Sequence, residues 1–187
     1  MNLKLISLLF IAILSWTNMS YSQSELQLVN IGDFKTTNGD IIRDCKIGYR
    51  TFGKLNADKS NVVLMPTWFT GTSEKTINQG FTSQIMDTTG LYFVIVDALT
   101  NGFSASPSNS QEFPNISIRD MVNSQYELMV NHLEIEHLFA IVGFSMGGMQ
   151  TFEWVVAYPV LWIKQFPFQV VQNNLLTTYL FGKLWRT

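Results

Sequence analysis

The sequence predicts an α/β fold with a parallel sheet, and three observations favour this fold class. Two short apolar runs, "NVVLMP" (61–66) and "LYFVIVD" (91–97), have the continuous apolar character of strands buried on both faces. A third run, 139–142, leads through Gly143 into a helical pattern. Polar, glycine-rich loops, 67–74 and 98–110, follow the first two runs. Because ligands bind at the carboxyl edge of such a sheet, these loops are the predicted walls of a site.

The region before the first buried run has the pattern of two antiparallel strands. The stretches "LVNIGDF" (28–34) and "CKIGYRTFG" (45–53) have the composition of strands, and Asn38-Gly39 between them is a strong hairpin signal. The two stretches are therefore predicted to pair antiparallel. Cys45 lies in an alternating segment and is interpreted as a small buried apolar side chain rather than a nucleophile or a metal ligand.

A helix is predicted between the second and third apolar runs. Ser117 and Asp120 have the spacing of a capping box. The apolar residues that follow at helical spacing are Val122, Tyr126, Met129, Val130 and Leu133. This face is expected to pack on the sheet, which makes His132 and His137 surface or helix-end residues rather than catalytic groups.

The last part of the chain continues the alternation of strands and helices. A strand is predicted over 138–142 and a helix over 150–158, which Pro159 ends. Residues 163–171 are a candidate for one further strand. Together with the earlier runs, these elements have the order of consecutive βαβ units.

The charge of the chain bears on its partners. The formal net charge is -2, only 14% of the 187 residues are charged, and the basic residues form no stripe. No nucleic-acid partner is expected from this pattern, and small molecules are the predicted partners. The sequence makes no prediction of the oligomeric state.

The first 22 residues predict export. Lys4 precedes an apolar run that ends at Trp16, and Ser20 and Ser22 have the small side chains of a cleavage site. The run is shorter than the roughly 20 residues of a membrane-spanning helix, which favours a signal peptide over an uncleaved anchor, so no stable membrane span is expected. Residues 23–187 are then one domain, and the predicted location is secreted or periplasmic.

The stretch Gly143-Phe144-Ser145-Met146-Gly147 matches the nucleophile-elbow pattern G-x-S-x-G. In such an elbow the turn is so sharp that the residues two before and two after the serine need small side chains. The alternative is a glycine-rich turn without chemistry. The apolar strand pattern before Gly143 favours the elbow.

Four stretches of the sequence carry a resemblance to a known family. They are "GYRTFGKLNADKSNVVLMPTWFTGTSE", "VDALTNGFSASPSN", the stretch 118–159 with "SMGGMQTFEW" as its most specific part, and more weakly "LLTTYLFGKLWRT". In this order they resemble the α/β-hydrolases, and more closely the homoserine O-acetyltransferase branch with its secreted relatives.

The resemblance implies serine-dependent acyl transfer or ester hydrolysis through an acyl-enzyme. By this resemblance Ser145 is the nucleophile, and the backbone N–H groups of Met146 and Phe69 form the oxyanion hole. The partners would be a small-molecule ester or acyl donor and an alcohol or water acceptor, with no cofactor and no metal ion. Thr67 stands where the acetyltransferases usually place a histidine, which bears on the choice of substrate.

The partners of Ser145 are the main departure from the family pattern. In this fold the acid and the histidine follow the nucleophile along the chain, yet residues 146–187 contain one acidic residue, Glu153, and no histidine or aspartate. The resemblance also weakens over 161–174. These observations predict an inactive amino-terminal fragment of an α/β-hydrolase domain, without the lid and the last strands. The alternatives are a topology that brings His132 or His137 to Ser145, and a non-catalytic binding protein of the same fold.

Overall fold

The computed structural model describes residues 25–79, 90–159, 168–172 and 177–182. Its helices are α1 (Ser73–Asn78), α2 (Ile118–Tyr126), which continues as a π-helical segment over Glu127–His132, and α3 (Met146–Ala157). Its strands are β1 (Gln27–Asn30), β2 (Phe34–Lys35), β3 (Ile41–Ile42), β4 (Lys46–Gly53), β5 (Val62–Pro66), β6 (Tyr92–Val96), β7 (Ala140–Phe144), β8 (Phe168–Gln172) and β9 (Thr177–Gly182).

Seven of these strands form one mixed sheet in the order β1-β4-β6-β5-β7-β9-β8. The central strands β6, β5 and β7 are parallel, and the outer strands on both sides are antiparallel to their neighbours. From β5 the chain goes to β6 on one side and then to β7 on the other. This reversal of strand order places a crevice at the carboxyl end of β5, and open α/β sheets bind ligands at such a point. The predicted fold class is confirmed.

The central strands are buried on both faces, as their continuous apolar sequence predicts. Val62 and Leu64 of β5 belong to the core cluster that includes residues of α2 and α3, among them the fully buried Trp154. Val63 and Met65 belong to a second cluster on the opposite face. Successive side chains of a strand point to opposite faces, so one short strand contributes to two cores.

The predicted antiparallel pair in the amino-terminal region is present, but the Asn38-Gly39 turn does not join it. β1 pairs with β4 in the register Gln27 to Tyr49, which confirms the pairing. Gly39, with φ +95°, instead lies between β2 and β3, two-residue strands that form a separate small sheet. A hairpin signal specifies the turn itself, whereas the length of the strands around it depends on what each residue packs against.

Cys45 has the structural role that the sequence predicted. Its side chain is fully buried in the core cluster next to β4. Burial raises the pKa of its thiol to about 12. A thiol that stays protonated is a poor nucleophile and a poor metal ligand, so Cys45 contributes by packing.

The capping box of α2 is present as predicted. The Asp120 N–H donates to Ser117 Oγ at 3.2 Å, and the Ser117 N–H donates to Asp120 Oδ2 at 2.8 Å. Of the predicted apolar face, Val122 and Met129 lie in the core cluster and Tyr126 and Leu133 pack against it, whereas Val130 is half-buried outside it. The helix changes to π geometry at Glu127, which the sequence did not indicate.

The boundaries of the elements around Ser145 differ from the prediction. β7 ends at Phe144 and α3 begins at Met146, so the helix starts four residues earlier than predicted. Gly147 and Gly148 weakened the helical pattern in the sequence, because glycine is a poor helix former. The close contact of the helix with the end of β5 at Gly147 overrides this preference.

Two sequence predictions fall wholly or partly outside the described residues. The candidate strand over 163–171 is represented only by its end in β8, and β9 was not predicted. The predicted signal peptide, residues 1–22, lies outside the described part. In the described part of the chain, none of the helices has the length and the apolar character that crossing a membrane requires.

Candidate active site

Ser145 occupies the turn between β7 and α3 in a strained backbone conformation. Its φ is 53° and its ψ is -120°, a combination that residues other than glycine rarely adopt. Its side chain is exposed and does not cap the helix that it precedes. A serine hydroxyl is therefore presented to solvent at the carboxyl edge of the sheet, on a backbone that the surrounding structure must hold in place.

Two glycines allow this turn. A Cβ atom added to Gly143 would lie 2.1 Å from the carbonyl oxygen of Gly147. A Cβ atom added to Gly147 would lie 2.5 Å from the carbonyl oxygen of Pro66 at the end of β5. Both contacts are with backbone atoms, which cannot move aside cheaply. The pattern of two glycines around a serine is therefore required by the close approach of α3 to β7 and to β5.

The loop that follows β5 lies beside this turn, and we call residues 67–71 the oxyanion loop, after the role that the family resemblance implies for Phe69. Phe69, at its centre, has a side chain that is 67% exposed. Met146 is the first residue of α3, so its N–H has no partner within the helix. Among the described residues, neither the Phe69 N–H nor the Met146 N–H donates a hydrogen bond to another backbone group. Both amides are thus available as donors at the carboxyl edge.

Gln150 joins the oxyanion loop to the nucleophile turn. Its Nε2 donates to the carbonyl oxygens of Thr67 and Met146, each at 3.2 Å. Its Oε1 accepts from Gln125 of α2, which in turn accepts from the indole N–H of Trp154 at 2.8 Å. Gln150, Gln125 and Trp154 are all buried, so this chain of hydrogen bonds has no competing solvent.

Asp97 fixes the start of α1, two residues after the oxyanion loop. Its carboxylate accepts from the Ser73 backbone N–H and from Ser73 Oγ, each at 2.7 Å. Asp97 is fully buried, and this burial raises the pKa of its carboxyl group to about 6 despite those hydrogen bonds and the nearby positive charge of Arg50. The loops after β5 and after β6 are therefore joined by a buried carboxylate.

Trp68 packs across the two strands that carry the site. Its ring lies edge-on to the ring of Phe144, the residue before Ser145, with the centroids 6.1 Å apart. A Cβ atom added to Gly71 would lie 2.6 Å from the same indole ring. The indole thus fills the space between the oxyanion loop and the end of β7, and the two segments are in direct contact.

The two histidines lie at the opposite edge of the sheet. Both are exposed, His132 at the end of the π-helical segment and His137 just before β7. The Phe139 N–H donates to the carbonyl oxygen of Val62, the first residue of β5, so this segment meets the amino ends of the parallel strands. A strand of this length spans about 16 Å, which separates the histidines from Ser145. The prediction that they are surface residues agrees with this placement.

Glu153, the acidic residue that follows Ser145 in the sequence, has a structural role. Glu153 makes an ion pair with Arg119, which connects α3 to α2. The described residues contain no group of three or more histidine, cysteine, aspartate or glutamate side chains placed to hold a metal ion. Within the described part of the chain, the candidate site therefore consists of Ser145, the two predicted backbone donors and the buried groups that hold their segments.

Sequence reasoning named Ser145, Met146 and Phe69, and it missed the groups that support them. Asp97 had a visible signal, since it directly follows a buried strand at the edge where ligands bind. Gln150 is part of the motif that carried the family resemblance, but its partner Thr67 is 83 residues away. Asn101, which contacts most of the oxyanion loop, is one of several polar residues in a loop and had no distinguishing signal.

The comparison with known families and proteins agrees with this architecture. Residues 61–161 match the model of the alpha/beta hydrolase fold family. An ethyl acetate hydrolase of Pseudomonas veronii is 38% identical over 71% of this chain and 40% of its own length. A homoserine O-acetyltransferase of Methanohalophilus mahii is 37% identical over 67% of this chain and 30% of its own length.

A solved structure gives the same result. The acetylester hydrolase from Corynebacterium glutamicum superposes with a TM-score of 0.67 at 38% identity, over 72% of this chain and 41% of that protein. The chain thus spans well under half the length of these relatives. The matched family model covers more than half of the 187 residues, and it includes the three parallel strands and the Ser145 turn. The chain belongs to the alpha/beta hydrolase fold family.

Proposed function

We propose that the full-length protein transfers an acyl group from a small ester through a covalent intermediate on Ser145. The observation that carries this proposal is the strained backbone of Ser145 at a turn where Gly143 and Gly147 have no room for side chains. Strain of this kind costs about 1 to 3 kcal/mol and persists where function requires it. The names of the relatives, an ethyl acetate hydrolase, an acetylester hydrolase and a homoserine O-acetyltransferase, support acyl transfer in general.

In the proposed mechanism, Ser145 Oγ attacks the carbonyl carbon of the ester and gives up its proton to a base. The negative charge that develops on the carbonyl oxygen is stabilised by the N–H groups of Met146 and Phe69. Collapse of this intermediate breaks the ester bond and leaves the acyl group on Ser145, while the base returns its proton to the leaving oxygen, which departs as the alcohol. Water, or an alcohol acceptor, then attacks the acyl-enzyme and regenerates the serine.

We propose ester hydrolysis as the first activity to test, with transfer to an alcohol as the alternative. Thr67 supports this order, because it stands where the acetyltransferases usually place a histidine. Its side chain is buried and accepts hydrogen bonds from the Ala98 N–H and Asn101 Nδ2, so it serves the loop and is not exposed to a second substrate.

The test is acylation of Ser145 in the full-length protein. A brief reaction with p-nitrophenyl acetate should add one acetyl group to the peptide that contains Ser145, as mass spectrometry would detect, and Ser145→Ala should remove both the adduct and the turnover. Glu134→Gln, an exposed change at the opposite edge, is the matched control and should keep both. Turnover that survives Ser145→Ala would overturn the proposal. Binding of an ester without any adduct would favour the non-catalytic binding protein.

We further propose that residues 1–187 by themselves have little or no turnover of esters. The support is that residues 146–187 contain no histidine or aspartate, while His132 and His137 lie at the edge opposite Ser145. Without a base, an oxyanion hole provides only a small part of the acceleration of a serine hydrolase. Steady-state assay of the purified chain is the test. Turnover at the level of an ordinary esterase that is lost in Ser145→Ala would contradict this proposal. It would mean that His132 or His137 acts as the base for Ser145.

We propose a secreted or periplasmic location, with removal of residues 1–22. The support is the order of Lys4, the apolar run and the small residues Ser20 and Ser22. Sequencing of the amino terminus of the exported protein should give Gln23 or a residue close to it. Recovery of intact Met1 on protein in the cytoplasm would contradict both the cleavage and the location.

A further inference from the structure

The centre of the oxyanion loop contributes little to its own order, although the Gly71 N–H donates to the Trp68 carbonyl oxygen at 2.8 Å and the Trp68 ring packs on Phe144. Its central side chain, Phe69, is mostly exposed and contributes little burial. Thr70 has a φ of 62°, which is unfavourable for a residue other than glycine. A loop with these properties needs contacts from elsewhere to keep one conformation, and an oxyanion hole works only if its donors are fixed before the reaction.

One side chain, that of Asn101 in the loop after β6, provides most of these contacts. Its Nδ2 donates to Thr67 Oγ1 at 2.8 Å and to the carbonyl oxygens of Trp68 and Gly71, each at 2.9 Å. Its Oδ1 accepts from the Thr70 N–H at 3.2 Å. Of the five residues in the oxyanion loop, Asn101 therefore contacts four. The exception is Phe69, whose amide is the proposed donor to the substrate.

Asn101 is itself held by the backbone of its own loop. Its N–H donates to the carbonyl oxygen of Ala98 at 3.0 Å, and the N–H of Ala98 donates to Thr67 Oγ1 at 3.0 Å. Thr67 is buried, so its hydroxyl receives both Ala98 and Asn101 without competition from solvent. These hydrogen bonds among Thr67, Ala98 and Asn101 join the end of β5 to the end of β6.

We propose that Asn101 is the positioning residue of the oxyanion hole. Its carboxamide fixes the backbone on both sides of Phe69 and thereby presents the Phe69 N–H beside Ser145 in the orientation that the developing oxyanion needs. The role rests on the proposed function of Ser145. An asparagine fits this task because one planar group supplies donors and an acceptor at the same time, and aspartate, with the same shape, supplies only acceptors.

Asn109 offers a matched control with the same chemistry. Its Nδ2 donates to the carbonyl oxygens of Gly102 and Ser104, and its Oδ1 accepts from the Ser106 N–H. It thus holds the neighbouring loop by the same type of bonds and does not contact the oxyanion loop. A general loss of loop order would affect both variants alike, whereas the proposed role predicts a difference between them.

The experiment compares Asn101→Ala, Asn101→Asp and Asn109→Ala in the full-length protein. Amide hydrogen exchange at Thr70 should be at least about tenfold faster in Asn101→Ala and unchanged in Asn109→Ala, because the Thr70 N–H donates to Asn101 Oδ1. Asn101→Asp keeps this acceptor but lacks the donors to the loop, so exchange at Thr70 should change less in that variant. With p-nitrophenyl acetate, kcat should fall at least about tenfold in the Asn101 variants while KM changes less than about threefold, since an oxyanion donor acts on the transition state.

Two results would overturn the proposal. Unchanged exchange at Thr70 in Asn101→Ala would show that the loop is held without this side chain. An equal fall of kcat in Asn101→Ala and Asn109→Ala would show only a general effect on loop order. Failure of the proposed function has a different signature, turnover that is the same in the wild type and in Ser145→Ala. In that case the amide exchange rates alone test whether Asn101 holds the oxyanion loop.

Discussion

The two edges of the parallel strands differ in how their polar residues are held. At the carboxyl edge, Thr67, Asp97 and Gln150 are buried and hydrogen-bonded, and they surround an exposed serine. At the amino edge, Lys59 pairs with Glu134 at 3.7 Å, but the Glu134 side chain is 85% exposed. The histidines lie at this second edge, exposed to solvent. The types of residue at an edge therefore do not distinguish the site. A network of buried polar groups around a strained backbone does distinguish it.

The two edges also share one feature, a non-glycine residue with positive φ. Ser145 and Glu134 both have a φ of 53°. At Ser145 the ψ of -120° lies far from the left-handed helical region, so the backbone is strained there. Four changes, from the largest expected effect to the smallest, test whether the carboxyl edge is the constrained one.

The largest effect is expected from Gly147→Ala at the carboxyl edge. Alanine normally stabilises a helix by about 1 kcal/mol relative to glycine. Here its Cβ would lie 2.5 Å from the Pro66 carbonyl oxygen, so the free energy of unfolding should instead fall by about 3 kcal/mol or more. Urea unfolding measures this change. Val156→Ala on the same helix, where the side chain is 70% exposed, is the control and should change stability by less than about 0.5 kcal/mol.

Asp97→Asn should change how stability depends on pH. The pKa of about 6 in the folded protein lies above the ordinary 3.8, so the folded state binds this proton more tightly than the unfolded state. The contribution of Asp97 to stability therefore falls as the pH rises from about 4 to about 6. Asparagine keeps the shape and lacks the charge, so its stability relative to the wild type should rise over this window by up to about 3 kcal/mol.

Urea unfolding of both proteins at several pH values measures the effect of Asp97. The difference between the two proteins isolates Asp97 from carboxylates with lowered pKa values, such as Asp120, whose contribution changes in the opposite direction. A difference that stays constant from pH 4 to pH 7 would contradict the assignment of a buried, charged Asp97 at the site.

Ser145→Gly should be more stable than Ser145→Ala. Both variants lack the nucleophile, but only glycine adopts the backbone conformation of this turn without strain. The expected difference is about 1 kcal/mol, since relief of strain exceeds the extra chain entropy that glycine loses on folding. Thermal or urea unfolding compares the two. If alanine is equally stable, the turn is not strained and the main support for the proposed function is lost.

The smallest effect is expected at the amino edge, from Glu134→Gln. The ion pair with Lys59 is exposed, and such pairs contribute less than about 1 kcal/mol. Addition of salt should reduce the difference further, because it screens exposed charges. Lys59 also donates to the backbone carbonyls of Leu133 and Glu134, and these bonds remain in the variant. A loss as large as that of Gly147→Ala would mean that the two edges are equally constrained.

The sequence by itself determined the elements whose signals are local. The buried runs of β5 and β6, the capping box of Ser117 and Asp120, and the glycines around Ser145 each act within a few residues, so their pattern was readable. The order of these elements, together with the motif around Ser145, was sufficient for the fold class and the family. The resemblance, rather than the spacing of residues, supplied Met146 and Phe69 as candidate donors.

The tertiary structure decided which distant groups meet. Asn101 contacts Thr67 across 34 positions in the chain, and Gln150 reaches the same residue across 83, and no local pattern encodes such pairs. The start of α3 at Met146 and the small sheet around Gly39 were also set by packing, which overrides weak local preferences. A backbone such as that of Ser145 is strained by definition, so it is held only by the contacts that the complete fold brings together.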